Sequence, residues 1–136
     1  KALPKNKLKE MQFALPVYEL LVSGVVDCVV ETADGLLLVD YKTGRPPKQD
    51  EVKLGYAYQL AIYKYAVEKL LNKKVIEAKL HFLQNLSEWS MPMDKDYLDA
   101  SLALCNEIRS KGKEEDFTCN LANCKYCPYN YLCPQK

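Results

Sequence analysis

Two aspartates and a lysine, Asp27, Asp40 and Lys42, stand near the ends of two apolar runs in the stretch DCVVETADGLLLVDYK. Carboxylate oxygens suit a hard cation such as magnesium, which keeps several waters and takes one or two carboxylates together with substrate phosphates. A lysine beside them orients or deprotonates a water, or stabilises charge developing on a phosphate. The plainer reading of the same three residues is a surface Asp–Lys ion pair, which is common and weak.

A second group of reactive side chains lies at the end of the chain, in FTCNLANCKYCPYNYLCPQK. Cys119, Cys124, Cys127 and Cys133 fall within fifteen residues, two of them as a C-x-x-C pair. Such a segment has little room for an apolar core and calls for a metal or cluster to hold it. Zinc and a four-iron cluster both take four thiolates, and disulfides or free thiols are the plainer alternative.

The acidic residues need a scaffold that brings them together. Asp34-Gly35 between apolar runs is a strong hairpin signal. With those two residues as the loop, Asp27 lies opposite Lys42 and Val29 opposite Asp40. With Ala33-Asp34 as the loop, Asp27 lies opposite Asp40. In both registers Asp27, Asp40 and Lys42 share one side of the hairpin, because directly opposed and alternate residues project from one face.

Further elements follow from periodicity. Residues 1–9 read as a loose lysine-rich arm. Alternation over Glu10 to Tyr18 predicts a strand, confined to an edge or ended by Pro16. Leu20 to Glu31 is a valine-rich run of the kind buried on both faces, with Gly24 marking a bulge or a close backbone approach. Leu36 to Tyr41 is its return strand, and Thr43 to Asp50 a turn-rich loop. Arg45, Lys48 and Lys53 form a local basic patch or simply a solvated loop. Val52 to Leu71 predicts a helix with an apolar stripe of Tyr56, Leu60, Tyr63, Val67 and Leu70. Gln59 and Tyr63, one turn apart, point toward the same neighbour. Asn72 to Lys74 is a turn, and Val75 to Leu83 and Leu86 to Met91 are paired strands. Lys95 to Lys111 is a second helix, ended by Gly112 as a left-handed cap. Leu98, Ser101, Cys105 and Ile108 form its stripe, widened by Leu102 and Leu104. Lys113 to Asp116 is a charged connector. Cys28, Cys105 and His81 read as structural, and Glu10 and Glu19 as solvated.

At 136 residues the chain fits one domain. A formal charge of +1 gives no global electrostatic case for nucleic acid, so any such binding needs a local patch. No stretch approaches the apolar length of a membrane span, and KALPKNKLKE lacks the apolar core of a secretory signal. These features predict a cytoplasmic protein, in which six cysteines are ligands or small buried hydrophobes.

Gly24 to Asp27 (GVVD), Asp40 to Gly44 (DYKTG) and Gln59 to Tyr63 (QLAIY) resemble, in order and spacing, the nuclease motifs of the RecB-like branch of the PD-(D/E)XK superfamily. The Glu-Met-Gln-Phe start at Glu10 also looks like the strand preceding these motifs in AddA-type helicase-nuclease subunits. The specific motifs cover roughly residues 10–65. The spacing of Cys124, Cys127 and Cys133 is similar to the cluster-binding end of iron-sulfur RecB-like nucleases. The resemblance implies an α/β, restriction-endonuclease-like mixed central sheet with flanking helices. Residues 1–116 would be the nuclease core and 117–136 a cysteine-rich tail of the same domain.

By that resemblance Asp27, Asp40 and the backbone carbonyl of Tyr41 ligate magnesium or manganese. Lys42 is then the catalytic lysine, with Gln59 and Tyr63 in the following motif. Cys119, Cys124, Cys127 and Cys133 bind a 4Fe-4S cluster or, alternatively, zinc. DNA is the implied substrate, in repair or recombination. The implied partner is a helicase region of the same polypeptide or a partner helicase-nuclease subunit, with no role for a membrane. Two departures stand out. The family usually has a helix bearing a metal-binding histidine before the first strand, and this sequence starts too late to include it. A fourth cysteine usually lies upstream of that helix; here it is either lost with a missing N-terminal segment or replaced by Cys119. There is no GxxxxGK[ST] phosphate loop, so a helicase motor would lie elsewhere in a longer protein. The expectation is the C-terminal part of a nuclease domain that cleaves poorly by itself. The alternative is a catalytically inactive nuclease-fold module that binds DNA or scaffolds, stabilised by the cysteine site. A weaker third reading is a zinc-binding interaction module.

Overall fold

A computed structural model describes residues 7–17, 19–46, 54–113, 122, 124, 127, 128 and 130–133. The chain divides into two compact units, Lys1–Leu104 and Cys105–Lys136, with the division inside the second helix. The elements run β1 (Lys7–Val17), β2 (Leu20–Glu31), β3 (Leu36–Lys42), α1 (Leu54–Leu71), β4 (Val75–Phe82), β5 (Ser87–Ser90) and α2 (Tyr97–Lys113).

One five-stranded mixed sheet has the order β1-β2-β3-β4-β5. Only β3 and β4 are parallel, and α1 is the crossover between them. Parallel neighbours require such a crossover, which here lays its buried residues Ala57, Leu60, Ala61, Ala66 and Val67 on the sheet. The core is completed by Phe13, Val26, Val29, Leu36, Leu38, Val75, Ala78, Leu80, Phe82 and Met91. The expected stripe on α1 holds at Leu60 and Val67, which are buried, and at Tyr56 and Tyr63, which pack half-buried against the core. Alanines carry much of the rest of the contact, and Leu70 is exposed.

The β2–β3 register corrects the first of the two hairpin readings. Cys28 pairs with Val39 and Glu31 with Leu36, so the two-residue loop is Ala33-Asp34 and the next pair outward is Asp27 opposite Asp40. Thr32 sets this turn. Its amide and hydroxyl both donate to Gly35 O (2.8 and 2.9 Å), and its Oγ1 accepts from the Asp34 amide at 3.3 Å. Gly35, at φ 151°, serves a close approach: a Cβ there would lie 2.7 Å from both Lys74 O and Ile76 Cγ2.

The first two strands change face beside Asp27. Pairs on either side of Glu10 keep one register, Lys9 with Cys28 and Met11 with Val26, but Glu10 itself has φ 51° and no ladder partner. The core members Val26 and Val29 stand three apart, so strict alternation is broken between them. Asp27 lies at that break.

The second helix starts later than its apolar periodicity predicts. The Asp96 carboxylate accepts from the amides of Leu98 (3.2 Å) and Asp99 (3.3 Å), the N-cap arrangement. Gly112 is not a terminal cap, since the helix continues to Lys113. Ser101 and Leu102 are buried, whereas Leu104 and Ile108 are exposed and Cys105 is half-buried, so the apolar stripe covers only the first turns. Cys28 is buried as expected. His81 pairs with Glu88 (3.1 Å) and meets the Tyr41 ring edge-on.

Candidate active site

Asp27, Asp40, Lys42, Gln59 and Tyr63 come together where the β2–β3 ladder ends beside α1. Asp27 Oδ2 accepts the Tyr41 amide at 2.8 Å, so its carboxylate takes over a backbone donor just beyond the final ladder pair, Cys28 with Val39. This bond fixes Asp27 against the neighbour of Asp40.

Asp40 is 3% exposed, an unusual place for a carboxylate. Lys42 Nζ lies 2.7 Å from its Oδ2, yet Oδ2 accepts no well-directed hydrogen bond. The directed bond of the ammonium goes instead to Gln59 Oε1 at 2.8 Å. The contact with Asp40 is therefore a close ion pair whose angle is poor for a hydrogen bond. Burial raises the Asp40 pKa above its ordinary value and the Asp27 charge adds to the rise, while Lys42 pulls it back.

A relay of side chains holds Lys42. Gln59 accepts from the ammonium and donates through Nε2 to Tyr63 OH at 3.0 Å. Tyr63 meets Phe13 edge-to-face at 5.8 Å. Lys42 Nζ also stands 5.0 Å from the centre of the Tyr56 ring, a cation–π contact that sequence reasoning missed. Its signal was present, since Tyr56 precedes Gln59 by three residues on the same helix. Phe13 and Gly24 were missed as a unit. They pair across β1 and β2, and a Cβ on Gly24 would lie 2.9 Å from Phe13 Cζ and 3.4 Å from Tyr63 Cε1. The close approach expected at Gly24 is thus what seats Tyr63.

On the other side of Asp27 a cleft of about 410 Å³ is lined by Lys7, Lys9, Glu10, Asp27, Cys28 and Tyr41. Glu10 therefore shares a cavity with Asp27, while Glu19 is exposed. Arg45 is exposed; Lys48 and Lys53 lie outside the described residues.

The acidic pair fits a divalent cation: it offers a buried oxygen without a directed donor and a second carboxylate in the facing register position. Among the described residues no three His, Cys, Asp or Glu side chains converge. In the tail Cys124 and Cys127 are thiols, with Cys124 and Cys133 half-buried, and the Cys127 amide donates to Cys124 O at 3.2 Å. Cys119 lies outside the described residues.

The model of the PD-(D/E)XK nuclease superfamily matches residues 3–134. The chain belongs to that superfamily. It is 45% identical over 71 residues to the A subunit of the ATP-dependent helicase/nuclease of Pelotomaculum thermopropionicum, covering 51% of this chain and 6% of that protein. It is 34% identical over 92 residues to the corresponding protein of Clostridium botulinum, covering 56% and 7%. The chain thus spans a small fraction of the length of these AddA-type relatives. A solved structure, the crystal structure of SSO0001, matches over 94% of this chain and 60% of its own, with a TM-score of 0.59 at 16% identity. That match and the mixed five-stranded sheet give the restriction-endonuclease-like α/β fold. No helix among the described residues is long and apolar enough to cross a membrane.

Proposed function

We propose that this chain is the metal-dependent nuclease module of a DNA-processing helicase-nuclease, hydrolysing phosphodiesters at Asp27, Asp40 and Lys42. The observation that carries the reading is Asp40, buried, with Oδ2 lacking a directed donor although an ammonium lies 2.7 Å away. A carboxylate kept in that state is costly unless a ligand completes it.

Asp27 and Asp40, with the Tyr41 carbonyl, would hold magnesium or manganese. Such a cation supplies Lewis-acid polarisation of the phosphate and a bound water of lowered pKa. Lys42 stands beside this pair as a fixed positive charge for the phosphate oxygens, or as the group that orients the attacking water. Gln59 holds the Lys42 ammonium through its carbonyl oxygen, and Tyr63 accepts from the Gln59 amide, so that the lysine keeps one position. Asp27 keeps its carboxylate aimed by the bond from Tyr41 N.

The substrate is DNA in repair or recombination. The helicase motor belongs to the same polypeptide or to a partner protein, and the likeness to helicase/nuclease A subunits supports that context. Cys119, Cys124, Cys127 and Cys133 hold a 4Fe-4S cluster or zinc in the tail. Anaerobic purification discriminates: brown protein with acid-labile sulfide supports the cluster, and colourless protein with one zinc supports zinc.

The decisive test of the active site is Lys42→Ala, assayed for magnesium-dependent cleavage of labelled DNA in the chain extended upstream. Loss of cleavage with folding and DNA binding largely kept is expected. Unchanged cleavage at matched magnesium removes the assignment, and binding without product in the unsubstituted protein favours an inactive binding module.

A further inference from the structure

The cleft beside Asp27 has a basic wall that the proposed hydrolysis does not use. Register explains how it forms. Lys9 pairs with Cys28, and Cys28 with Val39, two residues before Tyr41. Opposed and alternate residues share a face, so Lys7, Lys9, Cys28 and Tyr41 project to one side of the sheet. All four line the 410 Å³ cleft with Glu10 and Asp27.

The charge in this wall is uncompensated. Lys42, Lys64, Lys73, Lys79 and Lys111 each have a carboxylate within ion-pair distance. Among the described residues Lys7 and Lys9 have none, and both are exposed. Tyr41 between them and β4 is 41% exposed. Beyond it the basic surface stops, because Glu88 holds both Lys79 and His81. Two open ammonium groups and a partly exposed aromatic ring, held on one side by His81, are the parts that bind one nucleotide, charge for its phosphate and a ring for its base.

We infer that this cleft, on the opposite face of the sheet from Asp40 and Lys42 and bordered by Asp27, is a nucleotide subsite in which Lys7 and Lys9 hold a phosphate of the DNA strand, with Tyr41 stacking the attached base. The inference rests on the nuclease reading and adds the residues that seat the strand. Glu10, on the Asp27 side of the cleft, repels a phosphate and keeps it against the lysine wall. The backbone of Tyr41 fixes Asp27, so strand seating by its ring and placement of the acidic pair are coupled through one residue.

The experiment measures binding of a fluorescent single-stranded oligonucleotide against salt concentration, in the Lys42→Ala background with magnesium, each variant first checked by thermal melting. Adding Lys7→Ala and Lys9→Ala is expected to lower the slope of log K against log salt by about 0.7, for the one phosphate no longer neutralised. Lys7→Arg with Lys9→Arg restores it. Tyr41→Leu is expected to weaken binding about tenfold with the slope unchanged, and Tyr41→Phe to preserve it. Lys74→Ala, at the far end of β3, serves as the control and leaves the slope as it was. The subsite is overturned if the Lys7 and Lys9 variants change the slope no more than Lys74→Ala does, or if Tyr41→Leu binds normally. Product formed in the Lys42→Ala background would instead refute the role given to Lys42, and the binding comparison would still judge the subsite.

Discussion

Adding one methyl group at Gly24 tests how the site is supported, at a position that touches no substrate. In Gly24→Ala the new Cβ would stand 2.9 and 3.0 Å from two atoms of the Phe13 ring and 3.4 Å from Tyr63 Cε1. Phe13 is 7% exposed and packs edge-to-face on the half-buried Tyr63, so its ring has little room to retreat except by displacing Tyr63. Overpacking of this kind costs about 1–3 kcal/mol. The alanine also restricts the unfolded chain, which returns about 0.4–1 kcal/mol. The balance is a net loss of roughly 1–2 kcal/mol, with the packing contribution the larger. A shift of Tyr63 also stretches its 3.0 Å bond from Gln59 and loosens the hold on Lys42.

Urea titration of the unsubstituted chain and the variant reads the loss as a lower midpoint at constant slope. Phe13→Leu in the same chain removes the ring that the methyl group meets. The double variant should therefore be more stable than the sum of the single losses by at least about 0.5 kcal/mol, since contacting residues couple. A Gly24→Ala midpoint equal to that of the parent, or strict additivity with Phe13→Leu, would refute the close-packed seat for Tyr63.

Three further outcomes follow from the acidic pair and its lysine. Folding raises the Asp40 pKa above 3.8, so the folded chain binds that proton more tightly than the unfolded one. The contribution of Asp40 to stability is then fullest below 3.8 and is lost as pH rises through the raised value. Asp40→Asn should abolish that fall and be the more stable protein at neutral pH without metal, as measured by denaturant titration across pH. Magnesium should raise the melting temperature of the unsubstituted chain and not of Asp40→Asn, because a ligand stabilises only a state that binds it. Asp27→Asn keeps an oxygen to accept the Tyr41 amide and loses the charge, so calorimetry should find an unchanged fold with weakened magnesium binding.

Much of this arrangement is legible in residue types and spacing. The periodicity of β2, β3, α1 and β4 reflects local alternation between buried and open faces, which a sequence carries directly. The pairing of Asp27 with Asp40 and Lys42 follows from parity, which survives a shift of the loop by one residue. Gln59 and Tyr63 are one helical turn apart and bond each other, with Gln59 rather than Tyr63 reaching Lys42. Local capping is less legible. Asp96 rather than the apolar pattern sets the start of α2, and a helix continuing through Gly112 shows that a glycine permits a cap without imposing one.

Residue order suffices to say which side chains share a hairpin face and a helix turn, because those relations depend only on the short repeats of strand and helix. It suffices also for the family motifs and for the donor types offered to a cation. The register that sets Asp27 against Asp40 comes only with the folded chain, since Thr32 chooses the loop and the Lys74–Ile76 seam requires Gly35. So does the bond of Lys42 to Gln59 that leaves Asp40 Oδ2 without a directed donor, and so does the shared cleft of Lys7, Lys9 and Tyr41. Those facts depend on how β1, β2 and β3 pair and where the alternation breaks at Glu10, and strand pairing is a long-range relation that no local repeat encodes.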